Sequence, residues 1–149
     1  MLRQVISGAQ YGADQGGLEA AIFLGLEPGG FVPKGYWTER GALPDALVRR
    51  WKLIEHVSRS YDGRTAANVM AADGTVVFGD VSSVGSRLTV KLCKQHNKPY
   101  IVNPSPDSLR KWVEDNKIEV MNCAGNRLSR NPGVYDLAFR TIVTAFGGK

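Results

Sequence analysis

The sequence predicts an α/β fold: a mainly parallel sheet with helices on both faces. Three observations carry that expectation. The apolar pair Val5-Ile6 passes through Ser7-Gly8-Ala9-Gln10-Tyr11-Gly12 into a stretch with Leu18, Ala21, Ile22 and Gly25 on one face, which reads as strand, glycine turn and helix. Thr75-Val76-Val77-Phe78-Gly79 is the continuous β-branched and aromatic run of a strand buried on both faces. From there to the end, strand-like and helical stretches alternate, which is the order of a parallel sheet.

In chain order, Gly25 to Gly30 ends the first helix and Phe31-Val32 reads as a short second strand. Pro33-Lys34-Gly35 then turns away. Tyr36 to Pro44 shows no period and reads as an exposed loop, whose aromatics would dock on the domain, stack on a ligand or meet another subunit. Asp45 to Trp51 suits a short helix with Asp45 near its cap, and Leu53 to Val57 has extended character. Asp62 to Ala72 is helical, with Arg64 and Asn68 one turn apart. Thr75 to Gly79 is the candidate for the central strand.

Asp80 to Cys93 holds a second glycine-and-serine turn, opening a helix with Leu88, Leu92 and Cys93 inward. Lys98-Pro99 ends that helix and Tyr100-Ile101-Val102 is the next strand. A helix from about Ser108 turns Leu109, Trp112 and Val113 inward. Ile118 to Asn122 is a further strand, and its exit, Cys123 to Gly133, carries two arginines among small polar residues. Val134, Leu137, Ala138 and Ile142 mark the closing helix.

The chain has 149 residues, enough for a single domain over 1–149 with one core. Lys and Arg outnumber Asp and Glu by 19 to 14. The resulting +5 favours anionic ligands and is too small and dispersed to point to nucleic acid. Cys93 and Cys123 lie in apolar contexts as buried free thiols, and no Cys, His or acidic spacing suggests a metal. With no leader pattern and no bilayer-length apolar run, the expected place is the cytoplasm.

Glycines at a strand-to-helix turn let the backbone approach a ligand, and free N–H groups at a helix start favour an anion such as phosphate. Gly8 and Gly12 fit neither the dinucleotide fingerprint nor the Walker A loop, and such turns are as often structural as functional. The polar set Ser7, Gln10 and Asp14 tips the first turn toward binding. At the second turn the serines have the alternative of being plain helix caps. Lys34 would overlook the first turn if its strand were the parallel neighbour of the first. Spacing alone favours a solvated loop lysine.

These residues also carry a resemblance. Ser7-Gly8-Ala9-Gln10-Tyr11-Gly12-Ala13-Asp14, then Gly29-Gly30-Phe31-Val32-Pro33-Lys34-Gly35, Gly85-Ser86-Arg87-Leu88-Thr89-Val90 with Lys98 to Val102, and Asn122 to Ser129 with Asn131 to Tyr135, resemble the molybdenum cofactor carrier family in the same order. That family is a circularly permuted branch of the SLOG superfamily. The resemblance implies a Rossmann-like three-layer sandwich and a ligand site drawn from Ser7, Gly8, Gln10, Tyr11, Gly12, Asp14, Lys34, Gly85, Ser86, Arg87, Thr89, Asn122, Gly125, Arg127 and Ser129. Family members usually carry a second glycine at the place of Ala9, Thr at Tyr11 and Ser86, and often Pro at Asn126.

Three functions follow as expectations. The first is a non-catalytic carrier, sensor or sequestering protein for a phosphorylated nucleotide-like molecule, molybdenum cofactor being the ligand the family name implies. The second is a binder of an ADP-ribose-type or cyclic nucleotide signal. The third is a nucleoside 5'-monophosphate phosphoribohydrolase like the related Lonely Guy enzymes. Their catalytic glutamate falls at Thr89 here, and a threonine cannot serve as that carboxylate unless Asp14 or Asp80 stands in. The resemblance, with Tyr36, Trp37 and Trp51, also implies a homo-oligomer, dimer or tetramer.

Overall fold

The computed structural model describes residues 1–58 and 61–147. Its elements run β1 (Gln4–Ile6), α1 (Ala13–Leu24), β2 (Glu27–Gly29), β3 (Phe31–Val32), β4 (Trp37–Thr38), β5 (Gly41–Ala42), α2 (Asp45–Arg50), β6 (Ile54–Glu55), α3 (Tyr61–Ala71), β7 (Gly74–Phe78), α4 (Val84–Gln95), β8 (Tyr100–Val102), α5 (Pro106–Asp115), β9 (Val120–Gly125) and α6 (Val134–Gly147). Five strands form one parallel sheet in the order β2-β1-β9-β7-β8. β3 pairs with β6, and β4 with β5, in two small separate sheets.

The α/β expectation is met, with two corrections to strand placement. β7 is fully buried, yet the middle of the sheet is β9, with Met121, Asn122 and Cys123 buried between β1 and β7. The parallel neighbour of β1 is Glu27–Gly29, a stretch that reads as a helix terminator because it contains Pro28 and glycine. Pro is tolerated there because β2 is an edge strand. At Gly30, with φ +131, the chain turns so close over Ser7 that a Cβ would strike the Ser7 backbone, and Phe31–Val32 leaves for the small sheet.

The crossovers explain the layers. β1-α1-β2 and β7-α4-β8 run in opposite directions along the sheet, and right-handed crossovers then put α1 and α4 on opposite faces. α6 packs on α1 and α5, while α3 packs on α4. The main core joins Val5, Val76, Phe78, Leu109, Ile118, Met121 and Ile142. A second cluster of Leu18, Val32, Leu43, Trp51 and Leu53 seats the small strands and α2 against α1. Trp51 is held there by its indole N–H, which donates to Glu19 Oε2 at 2.6 Å. Among the described residues no helix is long and apolar enough to cross a membrane.

Candidate functional site

Because the chain leaves β1 and β7 in opposite directions, the loops after them part over the end of β9, at the carboxyl edge where open α/β sheets leave room for a ligand. A crevice of about 330 Å³ lies there. The first turn contributes Gln10 and Asp14, and the start of α4 contributes Ser83, Val84, Gly85, Leu88 and Thr89. The β9 exit adds Ala124 to Arg127 with Arg130, and α3 adds Asp62, Arg64 and Thr65.

The first turn differs from the expected open anion cradle, because three of its N–H groups are already used. Ala9 N–H donates to Ser7 Oγ at 3.0 Å, Gln10 N–H to Asp14 Oδ2 at 3.2 Å, and Ala13 N–H to the Asn126 carbonyl at 3.2 Å. Asp14 thus sits as an internal anion where the sequence suggests a ligand. Burial pushes its carboxyl above the ordinary range, against the pull of Arg64, the Gln10 N–H and Arg127. Gly12 caps α1 and is bridged to Arg127, and Leu128 N–H donates to the Tyr11 carbonyl, so the first turn and the β9 exit are one unit. Ala9 adopts φ 58, the left-handed conformation that glycine takes most readily.

At the second turn the donors are open. Ser83 caps α4 by accepting from Ser86 N–H, and the N–H groups of Val84 and Gly85 have no acceptor among the described residues. Both residues line the crevice opposite Arg127 and Arg130. The Thr89 hydroxyl donates to the Gly85 carbonyl at 3.0 Å, so it is tied into its own helix. Asn126 fixes the distance between the β9 exit and this turn through hydrogen bonds to Asp80 and Ser83.

Of the residues expected at a site, Gln10, Asp14, Gly85, Thr89, Gly125 and Arg127 line the crevice. Ser7 and Gly12 shape the first turn, and Gly8 lies beneath the Arg64 guanidinium. Six other placements differ from one shared pocket, each for a visible reason. Tyr11 turns toward the second cluster with Arg40 over its ring at 4.6 Å. Lys34 is exposed and outside the lining because β3 pairs with β6 and not with β1. Arg87 lies one helix face away, in an open groove of about 570 Å³ beside β8. Asn122 is buried within the sheet on Thr75, and Ser129 donates outward to Glu39. Ser86 is buried in α4 behind the lining.

Asp80, one of the two stand-in carboxylates, is exposed and turned to Ser82, whose hydroxyl and N–H hold it below the ordinary range. Arg64, Thr65, Asp62 and Arg130 are among the lining residues that sequence reasoning does not select, as are Ser83, Val84, Leu88, Ala124 and Asn126. The one signal was the spacing of Arg64 and Asn68: Asn68 bonds the Phe31 backbone in both directions and so fixes the helix that carries Arg64. Among the described residues no group of three or more His, Cys, Asp or Glu is placed to hold a metal. Cys93 and Cys123 are buried free thiols, as the sequence suggests.

A family model described as the circularly permutated YpsA SLOG family matches residues 5–146. A crystal structure described as a putative molybdenum carrier protein, from Syntrophus aciditrophicus SB, is similar with a TM-score of 0.87 and 30% identity over 99% of this chain and 96% of that one. No curated protein matches the chain.

Proposed function

The chain belongs to the circularly permutated YpsA family of SLOG domains, and from that membership we propose that its crevice binds a small phosphorylated, nucleotide-like ligand without turning it over. The carrying observation is that Val84, Gly85, Arg127 and Arg130 line one crevice at the switch point of the sheet, and that the N–H groups of the first two have no acceptor among the described residues. Helix-start donors and arginines together suit a phosphate. The no-turnover half is supported by Thr89, which stands where related hydrolases have glutamate and spends its hydroxyl on its own helix. Molybdenum cofactor, a phosphorylated pterin, enters this reading as cargo.

The test is calorimetry against nucleoside monophosphates, ADP-ribose, its cyclic forms and pterin phosphates, with product formation followed in the same samples. Heat without product is the expected result. Free base released at a rate that falls in Asp14→Asn would show an enzyme instead. Native mass spectrometry of protein purified without added ligand would name any retained molecule.

Self-association belongs to the same proposal, on narrower ground than the sequence offers. Trp51 is only 3% exposed, which leaves Trp37, at 56%, as the most exposed of the three aromatics that the sequence offers to a second copy. Light scattering at high micromolar concentration that reads a monomer would remove it.

A further inference from the structure

Resting on that reading of the crevice, we propose that its inner end, built from Gly8, Gln10 and Asp14, receives the cyclic guanidine edge of a 2-amino-4-oxo-pyrimidine ring, as found in guanine and in pterins. Arg64 fills this place with its own guanidinium until a ligand displaces it.

The shape of the place comes from Gly8. A Cβ there would fall on Nη1, Cζ and Nε of Arg64, so the space that glycine leaves is taken up by a flat guanidinium group. Its surroundings are two acceptors. Asp14 is 5% exposed, and its Oδ2 lies 3.6 Å from Arg64 Nη1.

Gln10 supplies the second acceptor. Its Nε2 donates to the carbonyls of Gly8 at 3.4 Å and Trp37 at 3.1 Å. That fixes which end of the amide is oxygen, because a flipped amide would set oxygen against two carbonyls. Oε1 is then buried with no hydrogen-bond partner among the described residues, in a side chain that lines the crevice and lies beside Gly8. A buried acceptor left unmade is costly, and a ligand donor relieves the cost.

The inner end therefore asks for a flat group with several N–H donors on one edge. In guanine and in pterins, the ring N–H and the neighbouring amino group form a guanidine closed into a ring, and they present parallel donors as an arginine fork does. Adenine would turn a ring nitrogen acceptor toward Asp14 and Gln10, and hypoxanthine lacks the amino group. A site built on such acceptors rejects rings that leave them unpaired. Arg64 sits in the first turn of α3 and lines the same crevice as Arg127 and Arg130, so on leaving Gly8 it stays within the region that holds the phosphate.

The experiment is calorimetry of the full chain with GMP, IMP, AMP, a pterin monophosphate and inorganic pyrophosphate. GMP or the pterin monophosphate is expected to bind at least about tenfold more tightly than IMP and AMP. Which of the two binds better tells whether a nucleotide or a pterin is the source of the shared edge. Asp14→Asn, checked for folding by circular dichroism, should bring the GMP to IMP ratio close to one. AMP or IMP binding within threefold of both GMP and the pterin overturns the inference, and needs no variant. Pyrophosphate binding alone overturns it too, while leaving the phosphate site in place. If nothing binds, both readings fall.

Discussion

Asn126 holds Asp80 as one strand holds another: its Oδ1 accepts the Asp80 N–H at 2.6 Å and its Nδ2 donates to the Asp80 carbonyl at 2.9 Å. Asn103 does the same to Gly79, and Asn68 to Phe31. Each amide supplies a peptide group where the backbone has left the sheet, so the strand-end loops keep fixed distances without regular pairing. Asn126 also reaches Ser83 Oγ at 3.2 Å, which ties the cap of α4 to the strand beneath the crevice.

Asn126→Ala is accordingly expected to cost roughly 1–3 kcal/mol, since one buried amide and its partners lose their bonds together. Urea unfolding measures the stability cost. Calorimetry should show weaker anion binding in the same variant, because the α4 start is no longer pinned. A stable variant with unchanged affinity would mean that the loops hold themselves.

Gly30→Ala tests the point where the chain leaves the main sheet. Left-handed strain at a residue with a Cβ is of order 1–3 kcal/mol, and at φ +131 the added carbon also meets the Ser7 backbone. The variant should lose more than the strain alone, visible as a clear fall in the thermal midpoint. An unchanged midpoint would show that the crossing has room to relax.

How far the sequence carries is seen at the same crossing. The helices and the buried run of β7 follow from periodicity, because burial leaves a pattern in single residues. Glu27-Pro28-Gly29 leaves no such pattern: it is a strand because β1 lies beside it, and long-range pairing decides short strands. The hairpin of Trp37–Thr38 with Gly41–Ala42 is too short to show alternation. At the site, Gln10, Asp14, Gly85, Gly125 and Arg127 stand at or beside turns visible in the sequence, while Thr89 is selected by the resemblance. Arg64 reaches the crevice from mid-chain, through a helix docked by Asn68, and its spacing to Asn68 is the one local sign of it.

Two carboxylates of α1 should respond to pH with opposite signs. Arg50, then Trp51, hold Glu19 below its ordinary value of 4.5, against some desolvation. Its contribution is present above that value and is lost as pH falls through the lowered folded value. The gap between wild type and Glu19→Gln in urea should therefore close in acid. Asp14 is raised from 3.8 chiefly by burial. The folded state holds its proton longer, so its charge erodes stability as pH climbs from 3.8 through the raised value. Asp14→Asn should lack that decline. Parallel pH profiles in all three proteins would contradict both assignments.

The last prediction separates two cations that the resemblance selects, Lys34 and Arg127, of which only Arg127 lines the crevice. The charge of Arg127 also reaches Asp14. Lys34 is exposed on the turn after β3, its N–H bonded to the Ser58 carbonyl, and it is absent from the lining. A charge-assisted contact contributes about 1.5–3 kcal/mol, so Arg127→Ala should weaken a phosphorylated ligand by roughly ten- to a hundredfold. Lys34→Ala should leave affinity within about twofold at moderate salt, where exposed charges beyond a Debye length of ~10 Å are screened. Calorimetry of the two variants side by side decides the matter. A tenfold loss in Lys34→Ala with Arg127→Ala unchanged would move the anion site out of the crevice and onto the turn after β3.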